Sequence, residues 1–137
     1  MKKMGLICIN NSIGMNLMLD SYSQYLSRYF NLFVITNTSH SAVIKKIKYY
    51  KIIKPLSNIL SGFSILNPLL WQRIFRVFLY ESPDIIFIIS SNVLNPLFIY
   101  ISRNVNKSII VVSHIHDVRA HKGVKYEYLI NLVQRIQ

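Results

Sequence analysis

A short uncharged run, an amphipathic stretch and a second uncharged run fill the first 36 residues, and that order narrows the folds open to the chain. Met4 to Asn10 is apolar until Asn10-Asn11-Ser12 interrupts it. From Met15 the apolar side chains recur at Met18, Leu19, Tyr22, Tyr25, Leu26 and Tyr29, one face of a helix, with Asp20, Ser21, Gln24 and Arg28 mostly on the other. Leu32 to Thr36 is apolar again. Strand, loop, helix, strand is a βαβ opening, for which parallel pairing and a right-handed crossover are the rule.

The same alternation continues. Val43 to Lys54 fits a helix and a strand about equally, and is read as a short helix or turn followed by a strand near Tyr49 to Ile53. Asn67-Pro68 starts a helix through about Tyr80, proline being favoured in a first turn. Its apolar face is wide, from Leu69 through Trp71, Ile74 and Phe75 to Leu79. Pro83-Asp84 ends it before a buried strand, Ile85 to Ile89. Asn92 to Ile101 reads as a helix, Lys107 to Val112 as a strand and Gly123 to Gln137 as a last helix. The expected fold class is α/β: a Rossmann-like, doubly wound parallel sheet with helices on both faces. Residues 1–137 suit a single domain.

Composition bears on compartment. Hydrophobic residues make up 52% of the chain and mean hydropathy is +0.33. The window Asp84–Ile101 is nonetheless broken at its middle by Ser90, Ser91, Asn92, Asn95 and Pro96, unlike the roughly 20 apolar residues of a bilayer span. Met1-Lys2-Lys3-Met4 is followed by too short an apolar stretch for an export signal. Cys8 is the only cysteine, so no internal disulfide forms, and a buried hydrophobic role is expected for it. The expected location is cytoplasmic, or peripheral at the inner membrane face. Sixteen Lys and Arg against five Asp and Glu leave a formal charge of +11, which favours polyanionic partners.

The richest chemistry follows the strand at Ile109 to Val112, whose uncharged run suits burial on both faces. His114, His116, Asp117, Arg119, His121, Lys122 and Gly123 come next. In open α/β sheets ligands gather beyond the carboxyl ends of the strands, where these residues fall. His121, Lys122 and Gly123 could form an anion site, glycine allowing close backbone approach, or an ordinary loop-to-helix junction. Ser12 and Gly14, in the first loop at the same edge, could bind substrate or form a plain turn; G-x-G-x-x-G is absent. His114 is expected to pack or hydrogen-bond locally. A zinc site from His114, His116, His121 and Asp117 matches no standard ligand spacing, and no metal is expected. Lys45, Lys46 and Lys48, with Lys51 and Lys54 among Ile44, Ile47, Tyr49 and Tyr50, suit either an anionic membrane surface or a solvated face. No nucleic-acid reader motif accompanies the charge, and nucleic acid is not an expected partner.

Three segments carry a resemblance. Glu81-Ser82-Pro83-Asp84-Ile85-Ile86, Ile110-Val111-Val112-Ser113-His114-Ile115-His116-Asp117 and His121-Lys122-Gly123 together resemble the N-terminal half of retaining glycosyltransferases of GT-B fold, family 4 type. Lys122 stands where that family has proline, and Gly14 alone where it has a Gly-Gly pair. The resemblance implies that His116 faces the donor sugar or departing phosphate and that Asp117 orients an acceptor hydroxyl. The plainer alternative is a solvated His116 and an Asp117 that caps its own turn. The resemblance also implies transfer of a sugar from a nucleotide sugar to a saccharide or lipid-linked acceptor in cell-surface polysaccharide synthesis, with no cofactor beyond that donor. Donor binding would fall to a second Rossmann-like domain not found in these residues, so this chain alone is not expected to be active without a second chain. The alternative expectation is a basic Rossmann-like module that docks an anionic membrane or a partner chain.

Overall fold

The computed structural model describes residues 1–9, 13–37, 47–52, 66–90, 92 and 94–114. Among them are five strands, β1 (Lys3–Cys8), β2 (Asn31–Thr36), β3 (Lys48–Lys51), β4 (Ile85–Ile88) and β5 (Ile110–Ser113). Three helices accompany them, α1 (Ile13–Leu26), α2 (Pro68–Glu81) and α3 (Asn95–Val105). The strands form one sheet in the order β3-β2-β1-β4-β5, and every neighbouring pair is parallel. The α/β, doubly wound expectation holds. Strand order reverses at β1, which pairs with β2 on one side and β4 on the other, Leu6 standing opposite both Val34 and Phe87.

Local chemistry explains where the helices stop and start. Asn67 caps α2, its side-chain oxygen accepting from the Leu69 N–H at 3.0 Å, with Pro68 in the first turn. At the other end Ser82 is left-handed (φ 42°), and its N–H donates to the Phe78 carbonyl at 2.8 Å. A glycine is usual there; the serine hydroxyl instead donates to the Leu79 carbonyl at 2.9 Å. Pro83 then prevents the helix from continuing. In α3, Asn95-Pro96 opens the first turn and Ser102, fully buried, turns its hydroxyl onto the Ile99 carbonyl at 2.8 Å.

Two apolar layers sandwich the sheet. On the α2/α3 face Ile7, Ile9, Phe33, Ile35, Ile86 and Ile88 meet Leu70, Ile74, Phe78, Leu97, Phe98 and Ile101. On the α1 face Met4, Leu6, Cys8, Leu32 and Val34 meet Leu19, with Met15, Met18, Tyr22 and Leu26 partly buried around it. Alternation along each strand sends successive side chains to opposite layers, which is why uninterrupted apolar runs were needed. Gly5 belongs to this arrangement: the Phe33 ring lies across it, and a Cβ there would stand 2.6 Å from Phe33 Cζ.

Two expectations need correction. β5 is not buried on both faces: Ile110 is 51% and Val112 45% exposed, because β5 is an edge strand and no described element covers it on the α1 side. The wide apolar face of α2 is also only half used. Leu70, Ile74 and Phe78 are buried, while Leu69, Trp71, Phe75 and Leu79 face outward beside Arg73 and Arg76. No helix among the described residues is long and apolar enough to cross a membrane.

Glu81, at the end of α2, is the buried charge of the amino-end edge of the sheet, 2% exposed. Lys3 of β1 pairs with it at 3.0 Å and Lys48 of β3 at 3.2 Å, and the Tyr50 hydroxyl donates to it as well. Lys48 Nζ also lies 4.8 Å above the Tyr80 ring. Burial alone would raise the Glu81 pKa; hydrogen bonds from Tyr50, Lys3 and Lys48 outweigh it and hold the carboxyl below its ordinary value. Burial and the same carboxylate push the Tyr50 phenol upward, keeping it a donor.

Gly5→Ala is expected to lower stability by about 1–3 kcal/mol, since Phe33 is enclosed and has nowhere to swing; denaturant melts measure it. Glu81→Gln is expected to lose about 2 kcal/mol, as three donors lose a charged acceptor. Because the folded pKa of Glu81 is depressed, its contribution is full above its ordinary value of 4.5 and disappears as pH falls through the folded value. The denaturant midpoint should therefore fall as pH is lowered below about 4.5, and fall less in Glu81→Gln.

Candidate functional site

The carboxyl-end edge of the sheet is where a doubly wound fold holds its ligands, at the crevice where strand order reverses. Here that crevice lies over β1 and β4. A ladder of polar contacts joins the two strands just beyond their ends. The Ile89 N–H donates to the Ile7 carbonyl at 2.9 Å, and the Ile9 N–H donates to Ser90 Oγ at 3.1 Å. Asn92 Nδ2 donates to the Ile9 carbonyl at 3.0 Å while Asn92 Oδ1 accepts from the Leu94 N–H at 2.9 Å. Asn95 Nδ2 donates to the Ser90 carbonyl at 2.6 Å. Strand ends otherwise leave backbone groups without partners, and these three side chains satisfy them.

One atom of this group is left over. Asn95 is fully buried in the first turn of α3, and its Oδ1 has no hydrogen-bond partner. A buried amide oxygen without a donor is destabilising by about 1–3 kcal/mol, so its retention calls for a reason.

β5 brings a second polar pair to the same edge. The His114 N–H donates to the Ile88 carbonyl at 2.8 Å, which fixes its backbone beside β4. Its ring meets Tyr22 of α1 edge-on, with Tyr22 Oη 3.5 Å from His114 Nδ1. Tyr22 in turn packs edge-on against Phe87, ring centroids 5.2 Å apart. His114 thus packs and bonds locally, as its place in the strand suggested.

Cys8 lies nearby but is chemically quiet. Burial raises its thiol to about 11, only partly offset by a hydrogen bond with Ser90, so it stays protonated at neutral pH. Among the described residues no three His, Cys, Asp or Glu side chains gather as metal ligands would.

The expected site residues divide sharply. Ser12, Lys45, Lys46, His116, Asp117, His121, Lys122 and Gly123 lie outside the described residues. Gly14 is in the first turn of α1, exposed, and a Cβ added to it would meet nothing within 4 Å. Lys48 lies at the opposite edge of the sheet, bonded to Glu81. Ser90, Asn92 and Asn95, which join the two strands, stand out in sequence only as the polar break in an apolar window. The available signal was their place: three short polar side chains directly after a buried strand, before a helix-opening proline.

No protein-family model matches the chain, and none of the curated proteins matches it. Among solved structures it is similar to the crystal structure of phenylacrylic acid decarboxylase from Aquifex aeolicus, at 16% identity and a TM-score of 0.32, covering 98% of this chain and 93% of that one. The expected GT-B glycosyltransferase identity is corrected: no glycosyltransferase family model and no curated glycosyltransferase matches the chain. Sugar transfer, polysaccharide synthesis and the docking-module alternative are left without support. The motif that suggested them has a structural explanation. Asp84 accepts from the Lys3 N–H through its carboxylate at 2.8 Å and returns its own N–H to the Lys3 carbonyl at 2.9 Å. Pro83-Asp84 therefore aligns β4 with β1 at the amino-end edge of the sheet.

Proposed function

We propose that this chain is a small-molecule-binding domain that holds a hydroxyl-bearing, negatively charged ligand in the crevice over the carboxyl ends of β1 and β4. The observation that carries this reading is the unpartnered Asn95 Oδ1, fully buried in the first turn of α3 beside the Ser90 carbonyl, just beyond the carboxyl end of β4. An acceptor of this kind is satisfied by an O–H or N–H donor, directly or through one water. The charge of +11 favours an anion over a neutral molecule of the same shape. A nucleotide held through a G-x-G-x-x-G loop is not part of the reading, because that loop is absent. A cytoplasmic location suits such a domain, its single cysteine buried and unpaired by any disulfide.

The test is a melting-temperature screen with nucleoside diphosphates, hexose phosphates and inorganic phosphate. At least one hydroxyl-bearing phosphate should raise the midpoint by several degrees in a concentration-dependent way. Asn95→Ala should abolish that rise while lowering the ligand-free stability by only about 1 kcal/mol, the worth of its bond to the Ser90 carbonyl. Failure of every compound, or an equal rise in Asn95→Ala, refutes the proposal. Inorganic phosphate acting as well as the larger phosphates removes the hydroxyl requirement and refutes that part of it.

A further inference from the structure

We propose that Asn92 is a specificity-determining residue of the crevice: it closes the start of α3 to anions, so that this end receives the O–H or N–H part of a ligand and not its anionic group. The inference rests on the ligand reading above and adds which part of that ligand meets α3.

A helix start ordinarily offers an anion several backbone N–H groups that have no partner within the helix. At α3 those groups are already bonded. The Leu94 N–H donates to Asn92 Oδ1 at 2.9 Å and the Asn95 N–H to the Asn92 carbonyl at 3.0 Å. Pro96 has no N–H, and the Leu97 and Phe98 N–H groups both donate to the Leu94 carbonyl, at 3.0 and 3.2 Å. Asn92 therefore stands where an anion would, as the acceptor ahead of the first turn.

It is also anchored there. Asn92 Nδ2 donates to the Ile9 carbonyl at 3.0 Å, so turning the side chain aside gives up one bond to α3 and another to the end of β1. An incoming phosphate oxygen can replace the first but not the second, because it has no N–H to give to Ile9.

What this end still lacks is a donor. Asn95 is fully buried, its Nδ2 held by the Ser90 carbonyl at 2.6 Å and its Oδ1 without a hydrogen-bond partner. No cationic side chain lies in α3 before Arg103, in its last turn. An anionic oxygen brought here meets an acceptor of like partial charge and no free donor, whereas a hydroxyl or N–H supplies what Oδ1 lacks. The dipole of α3 still favours negative charge, but it acts through N–H groups that are already bonded.

Backbone-amide NMR of the full chain tests this, with inorganic phosphate added against chloride at equal ionic strength. In the native chain the Leu94, Asn95 and Leu97 signals should follow the chloride control. In Asn92→Gly, which frees the Leu94 N–H, they should shift saturably with phosphate. Asn92→Ser loses the bond to Ile9 but keeps a neutral oxygen able to cap, so its signals should stay with chloride. Saturable shifts in the native chain, none in Asn92→Gly, or equal shifts in Asn92→Ser and Asn92→Gly overturn the inference. Where Asn92→Gly does not fold, the melting screen decides. Asn95→Ala should weaken whichever hexose phosphate or nucleoside diphosphate binds by at least about tenfold, and leave the affinity for inorganic phosphate unchanged. Loss of both affinities in Asn95→Ala overturns the inference, while loss of neither refutes the ligand reading itself.

Discussion

Both faces and both edges of β1 are occupied, and the remaining structure is arranged around that enclosure. β1 hydrogen-bonds to β2 and β4, contributes Leu6 and Cys8 to one layer and Ile7 to the other, and is buried from Met4 to Cys8. A strand so placed tolerates neither charge nor an unfilled volume. Gly5 shows how tight the enclosure is: Phe33 from the neighbouring strand fills the space its missing side chain leaves. The chain reverses its winding direction about this strand, and so the crevice of the fold is formed by β1 and its neighbour.

The two ends of β1 are closed by different chemistry. At the amino end Lys3 binds both acids of the neighbouring junction, Glu81 through its ammonium and Asp84 through its backbone. At the carboxyl end, Ile9 is held by the neutral side chains of Ser90 and Asn92. Two of the five acidic residues of the whole chain are thus committed to the edge away from the crevice. The two ends therefore differ in kind, an ion-pair cluster at Glu81 and a network of neutral amides and a hydroxyl at Ser90, Asn92 and Asn95.

Element type was legible wherever burial was two-sided or a helix had a clear face. Strands β1, β2 and β4 were read correctly because continuous apolar runs on interior strands have few alternatives, and α2 because Asn67-Pro68 is both cap and first turn. β3 was ambiguous since Lys48-Tyr49-Tyr50-Lys51 is half exposed and serves Glu81 as much as the core. α3 begins at Asn95, three residues later than its polar start suggested, because Asn92 is spent on the Ile9 carbonyl and the Leu94 N–H. The burial of β5 was misjudged, as a short apolar run such as Ile109 to Val112 describes an interior strand and a half-exposed edge strand equally well. At the site, imidazole and carboxylate draw attention in a sequence, while the amides and hydroxyl that join β1 to β4 do not. Their role depends on a neighbour more than eighty residues away, Ile9 to Ser90 and Ile9 to Asn92, a proximity no local pattern contains.

The glycosyltransferase resemblance misled for a related reason. Proline stops a helix, aspartate satisfies the first backbone group of the next strand, and two β-branched residues continue into the sheet. Those needs arise wherever a helix turns back into an interior parallel strand, irrespective of what the protein binds. In this chain the bonds from Asp84 to Lys3 meet them fully. A motif at the amino end of a strand reports how the sheet is assembled. What the protein binds has to be argued from the site instead, and at the other end of the sheet the described residues leave one buried acceptor, Asn95 Oδ1, without a partner.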